Sequence, residues 1–192
     1  MRKIPTMFVR NPEDRRYVLP KVAAGCEWVT AGEGVATRKY DGTCVLYDGA
    51  AWWARREVKP GKAVPPGFRA VGTDDVTGRT VGWEPVEQSP FAKFHAEAAA
   101  GAEGPFAPGT YELVGPRINA NPEGTPAHQL IAHAEAAVVV LADRSLETLR
   151  STVLQLAEFE HAEGLVFHHP DGRMAKIKAR DFYATLHPMA GK

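Results

Sequence analysis

The sequence has only two cysteines, Cys26 and Cys44. They could pair, but two buried thiols in an intracellular, cytoplasmic protein is the simpler reading. No apolar run reaches the roughly 18 residues that signal a membrane span, so no membrane is expected as a partner. Met1-Arg2-Lys3-Ile4-Pro5 is basic, but no apolar stretch follows it, so no secretory signal is expected. Cys/His spacing of the metal-cluster kind is also missing. His168 and His169 are adjacent and face opposite ways on a strand, and His128 and His133 are ill spaced for a helix face. Net charge is absent too, with 23 basic and 23 acidic residues, yet its distribution is uneven. Residues 1–62 carry 12 Lys/Arg against 7 Asp/Glu, residues 63–170 carry 6 against 14, and residues 171–192 carry 5 against 2. A polyanion would bind if the two basic ends met on one face.

What is present suffices for one domain with a sizeable core, residues 1–192. Residues 3–10 read as extended. Asn11-Pro12-Glu13-Asp14 reads as a cap and first turn, and Glu27 to Val29 as a strand. Residues 50–58, 70–72 and 81–86 are further β candidates. Trp52 and Trp53, being adjacent, must face opposite sides of a strand. Ser89-Pro90 looks like a helix start, with Phe91, Phe94, His95 and Ala98 on one face. His128 to Glu135 reads as a short helix. Ser145 caps a longer one, with Leu146, Leu149, Val153, Leu156 and Phe159 as its apolar stripe.

Three stretches carry the chemistry. Lys39-Tyr40-Asp41-Gly42-Thr43 reads as a hairpin turn at Asp41-Gly42, since glycine takes a positive φ at no steric cost. Such a turn would hold the lysine amine at a sheet edge. Thr110 to Val114 is a strand with Glu112 in its middle, where a charged residue is depleted; the alternative is an exposed strand face. Glu163 to His169, turning at Pro170-Asp171-Gly172 and returning over Met174 to Lys178, is a hairpin. Glu163, Leu165 and Phe167 face one way by period two, and Lys176 and Lys178 share a face. Two lysines cannot enter an apolar core unpartnered, so they meet solvent or line an anion site.

Taken together these stretches resemble the covalent nucleotidyltransferase superfamily of ATP-dependent ligases and capping enzymes. Lys39-Tyr40-Asp41-Gly42 resembles motif I, Tyr111 to Gly115 motif III, Glu163 to Phe167 motif IV, and Lys176-Ile177-Lys178 motif V. Glu112 to Pro116 with Asn119 and Asn121-Pro122, and His168 to Met174, are similar to the RNA ligase 1-like group. The resemblance implies an α+β adenylation domain with two antiparallel sheets around an ATP cleft and flanking helices. It implies an ATP-dependent RNA ligase joining 5′-phosphate and 3′-hydroxyl ends, with an RNA repair or related role. A nick-sealing DNA ligase or general nucleic-acid adenylyltransferase, and a non-catalytic nucleotide- or RNA-binding module, are the alternatives.

By this resemblance Lys39 is the nucleophile that takes AMP from ATP. An amine attacks only when unprotonated, a form that burial and nearby cations favour. Lys176 and Lys178 contact phosphate, and Glu163 engages the divalent metal, Mg2+ or Mn2+. Glu112 meets the ribose hydroxyls. Arg55, in preference to Arg56, contacts nucleotide or 5′-phosphate. Phe167 or Trp83 stacks on adenine, each with a core role as its alternative. Arg117, Asn119 and Asn121 form a loop that touches RNA or triphosphate, or else a capped polar turn. A C-terminal OB-fold or helical accessory domain is not expected. RNA binding would then draw on basic patches, a homodimer or an accessory protein.

Overall fold

The computed structural model describes residues 3–75 and 77–185, with side chains as far as Phe182. The fold is mixed α+β. It divides into two compact units, one built from Ile4–Tyr40 and the described chain from Ala137 onward, the other from Asp41–Ala136 with Lys3.

In the first unit, β1 (Phe8–Arg10) pairs with β2 (Val18–Val22). A single helical turn, α1 (Glu27–Thr30), follows where a strand is expected from sequence. Its four residues are too few to show a period. Buried Trp28 and Val29 lie on the turn, and the Trp28 indole donates to Gly25 O at 3.0 Å. β3 (Val35–Lys39) pairs antiparallel with β10 (Gly164–His168), which pairs with β11 (Met174–Lys178) as the 163–178 hairpin predicts. Thr6 bridges to Lys176 along the β11 edge, and Val138 to Thr37 along the β3 edge. Residues 137–141 thus meet β3 through an isolated bridge, not a strand of their own.

Two longer helices form, α2 (Ala92–Ala100) in the second unit and α3 (Leu146–Glu160) in the first. At the start of α3, Ser145 Oγ accepts from Thr148 N at 3.2 Å, satisfying a donor that a helix start leaves orphaned. Leu149 and Val153 are fully buried with Leu165, Phe167 and Ile177. Each such side chain contributes about 1.5–3 kcal/mol of burial. Phe159, expected on the same stripe, is 74% exposed, because the core ends before the last turn of α3.

In the second unit six antiparallel strands run in the order β6-β7-β5-β4-β8-β9: β4 (Thr43–Tyr47), β5 (Trp52–Val58), β6 (Arg69–Thr73), β7 (Thr80–Pro85), β8 (Gly109–Val114) and β9 (Gln129–Ala132). β9 and a 3-10 turn at His133–Glu135 occupy the stretch expected to be helical, because β8 offers an edge for Gln129–Ala132 to pair with. α2 covers one sheet face through Phe91, Phe94 and Ala98, against Leu113, Ile118 and Leu130. Its predicted cap is corrected. Ser89 Oγ donates to Val86 O at 2.7 Å and closes a preceding 3-10 turn, while α2 begins after Phe91 with no side-chain cap. The tryptophans do face apart. Trp52 packs among Tyr47, Phe106 and Tyr111, while Trp53 donates to Asp48 and lies under the Arg69 guanidinium.

The expected hairpin at Lys39–Thr43 does not form. β3 pairs with β10 and β4 with β5 and β8, so the five residues carry the chain from one unit to the other. Gly42 is needed for close approach, not for a positive φ. A Cβ there would stand 2.3 Å from Leu113 O and 2.9 Å from Glu112 Cγ.

Candidate active site

Strand register explains how three sequence-distant residues meet in the first unit. Gly164 lies opposite Lys39 on one side and Lys178 on the other. Thr37, Val166 and Lys176 alternate onto that same face. Gly164 has no side chain, so the two lysine stems stand either side of a gap. Glu163, one residue before β10, fills it. Its carboxylate Oε2 is 2.5 Å from Lys39 Nζ, and Oε1 is bonded by Lys178 Nζ, with Arg180 Nη2 3.8 Å away. The Glu163 backbone extends both ladders. Its N–H donates to Lys39 O at 2.9 Å, and its carbonyl accepts from Ala179 N at 3.0 Å. The side chains of Lys39, Glu163 and Lys178 are 17%, 10% and 12% exposed.

Electrostatics follow from that enclosure. Burial alone raises the Glu163 carboxyl, but the charges of Lys39 and Lys178 and their hydrogen bonds together outweigh it. The carboxyl is therefore held below its ordinary range. Burial pushes the Lys178 ammonium down, against the pull of Glu163 and with help from Lys39 and Arg180. This is an anionic side chain inside a cationic cluster on one sheet face, which suits phosphate oxygens once the carboxylate is matched by a metal or proton.

Gly164 also sets the spacing. A Cβ would lie 2.1 Å from Ile177 O and 2.7 Å from Lys178 Cα, both backbone atoms that cannot swing aside. Gly164→Ala is expected to push β11 away from β10 and to lower stability by about 2–3 kcal/mol. Chemical denaturation measures this, and a change below about 0.5 kcal/mol would contradict the close approach.

Phe167, named as an adenine stacker, is fully buried on the opposite face of β10, in the core with Leu165 and Ile177 and with the Arg144 guanidinium over its ring. Parity from Glu163 misled. Glu163 precedes the strand, and its carboxylate meets Lys39 and Lys178, whereas Leu165 and Phe167 enter the core.

In the second unit the register puts Arg55 opposite Trp83, and Cys44 opposite Glu112. Leu46 opposite Trp53 ties the pairs to one face, the one turned away from the α2 core. Arg56 alternates to the other face, with Nη1 3.8 Å from Glu84 Oε1. Trp83 is only 5% exposed. Glu112 is buried, so the exposed-face alternative for it is overturned. Its Oε1 accepts from Gly42 N at 3.1 Å, and its Oε2 is 2.9 Å from His133 Nε2.

The 117–124 loop proves to be a brace. Asn119, Ala120 and Asn121 all take the left-handed conformation, with φ of 47°, 61° and 59°. That turn lets Asn119 Nδ2 donate to Asp41 Oδ1 at 3.0 Å and Gly42 O at 2.9 Å. Glu123 Oε1 accepts from Asp41 N at 2.7 Å. Asn119, Glu123 and Glu112 thus fix the Asp41-Gly42 backbone. Asn121 closes the loop on itself through Thr125.

Cys44, Glu112 and His133 form a cluster that sequence reading missed. One ligand atom from each lies within 4.8 Å of the others, and the group could hold a metal ion. The signal was topological: Cys44 meets Glu112 only because β4 pairs with β8, and His133 joins them only because its stretch is a strand and a turn. Among the described residues no helix is long and apolar enough to cross a membrane. No family model matches the chain, and no curated protein matches it.

Proposed function

We propose that the protein is an ATP-dependent RNA ligase acting through a lysyl–AMP intermediate. The observation that carries this reading is the Lys39 amine 2.5 Å from the enclosed Glu163 carboxylate, with Lys178 on the same carboxylate. Nucleophilic lysines are used where nearby cations favour the free amine and hold the leaving phosphate.

In the first step Lys39 Nζ forms a bond to the α-phosphorus of ATP. The bond from that phosphorus to the β-bridging oxygen breaks, and pyrophosphate leaves. The amine gives up its proton to solvent. Lys178 and Lys176, on one face of β11, offset charge on the phosphoryl oxygens. In the second step an RNA 5′-phosphate oxygen attacks the lysyl–AMP phosphorus, giving RNA–adenylate and free lysine. In the third a 3′-hydroxyl attacks the RNA 5′-phosphorus and AMP leaves.

A divalent cation suits the donor set of one enclosed carboxylate plus substrate phosphates. Glu163 is the residue that would hold Mg2+ or Mn2+, which supplies charge neutralisation at the phosphates. Arg55, Glu112 and Trp83 share one face of the six-stranded sheet.

The test is an acceptor competition. Protein, ATP and Mg2+ are mixed with equal amounts of 5′-phosphorylated RNA and DNA strands of one sequence. RNA–adenylate and ligated RNA are expected, at least tenfold over the DNA products. Equal or greater DNA product would move the assignment to a DNA ligase. No adenylated strand of either kind, with folded protein, would remove the ligase reading.

A further inference from the structure

We propose that Cys44, Glu112 and His133 form a binding site for a thiophilic divalent transition metal of the Zn2+ class, with a fourth coordination position left open. The proposal stands on the second unit alone and does not depend on the ligase reading.

The donor set decides the metal class. A thiolate and an imidazole favour Zn2+, Co2+ or copper, whereas Mg2+ and Ca2+ take oxygen ligands. Ligand atoms around a tetrahedral Zn2+ with bonds of about 2.0–2.3 Å stand roughly 3.5 Å apart. Here the three lie within 4.8 Å of one another, and His133 Nε2 is already 2.9 Å from Glu112 Oε2.

The surroundings orient the ligands as metal sites require. His133 Nδ1 is hydrogen-bonded to Thr110 Oγ1 at 2.9 Å, which fixes the ring and turns Nε2 toward the cluster. Thr110 lies two residues from Glu112 on the same face of β8. The second oxygen of Glu112 is held by Gly42 N at 3.1 Å. Two of the three ligands therefore have their other polar atom bonded, the pattern that raises affinity and sets geometry. Cys44 and Glu112 stand directly opposite on paired strands, so their separation is set by the sheet and not by loop motion. Three protein ligands leave room for water or a ligand atom, as in catalytic zinc sites rather than closed structural ones. Binding releases the thiol proton of Cys44, and His133 ligates through Nε2 with its ring proton on Nδ1, facing Thr110 Oγ1.

The test is titration of the full chain with Co2+ under reducing conditions. One equivalent is expected to produce a near-ultraviolet thiolate-to-metal band and tetrahedral visible bands, both displaced by Zn2+ and neither by excess Mg2+. Cys44→Ser is expected to abolish the thiolate band, and His133→Ala to weaken binding at least tenfold. In case those variants fold poorly, the unaltered protein provides a second readout. Iodoacetamide labelling of Cys44 is expected to slow at least tenfold with one equivalent of Zn2+. Cys26 is only 1% exposed and serves as the unreactive reference. A Co2+ spectrum without the thiolate band, or Cys44 labelling unchanged by Zn2+, overturns the proposal.

Discussion

Glu163→Gln is expected to lower transfer of AMP from ATP to the protein by at least about 100-fold, a loss of about 2.7 kcal/mol in transition-state stabilisation. The amide keeps the shape of the side chain but carries no charge to balance the two ammonium groups or to meet a divalent cation. The same change leaves Lys39 and Lys178 together without their counter-charge. Removing one partner from an enclosed ion pair costs about 3 kcal/mol of folding stability. The pH dependence separates this from a general packing defect. The folded carboxyl sits below its ordinary value, so its stabilising contribution is complete above the unfolded value of about 4.3 and is lost as pH falls through the folded one. The stability gap between the original protein and Glu163→Gln is therefore expected to be full at pH 7 and to shrink below about pH 4. Lys178 contributes with the opposite cost. Its folded value is lowered, so the penalty for holding it charged is present at neutral pH and is relieved as pH rises through that value toward the unfolded one. Denaturant titrations from pH 3 to 7 read the Glu163 limb. A gap constant across the acid range would contradict the charge account of Glu163.

Asp181→Ala carries the largest expected stability loss outside the candidate site. Asp181 is 1% exposed. Its Oδ1 accepts from Arg10 Nη1 at 2.6 Å, and its Oδ2 accepts from Lys178 N at 2.9 Å. The side chain thus ties β1 to the end of β11. Truncation removes the carboxylate partner of Arg10, which keeps its bonds to Arg16 O and Thr6 Oγ1, and the acceptor of an enclosed backbone donor, at a cost of about 2–3 kcal/mol. Asp181→Asn keeps one acceptor oxygen and turns an NH2 toward the other donor, so it is expected to recover only part of that loss. The measurement is the denaturant midpoint at constant slope. Since Lys178 N is one of the groups released, Asp181→Ala is also expected to slow AMP transfer even under conditions where it remains folded. An Asp181→Ala protein within about 1 kcal/mol of the original would show that the pair contributes little.

How far the sequence could be read depends on how local each signal was. The 163–178 hairpin and the α3 cap were legible because turn chemistry and N-cap preference act within a few residues. The Lys39–Thr43 stretch was misread for the converse reason. Asp-Gly signals a hairpin locally, yet Lys39 finds its partner at Gly164 and Thr43 at Leu113. Strand pairing across such distances leaves no mark on the five residues themselves. Parity was right for Leu165 and Phe167, but it could not say which face was core, nor that Glu163 lies outside the strand. The brace of Asn119 and Glu123 on Asp41-Gly42, and the Cys44–Glu112–His133 cluster, depend on which strands neighbour which. No spacing rule reaches them.

The lysyl–AMP route is tested by the intact mass of the protein after incubation with ATP and Mg2+, alongside Lys39→Ala of verified fold. The original protein is expected to gain one AMP, reversed by pyrophosphate and mapped to Lys39, and Lys39→Ala to gain none. An adduct that persists in Lys39→Ala, or an original protein that arrives without AMP and gains none, would rule that route out.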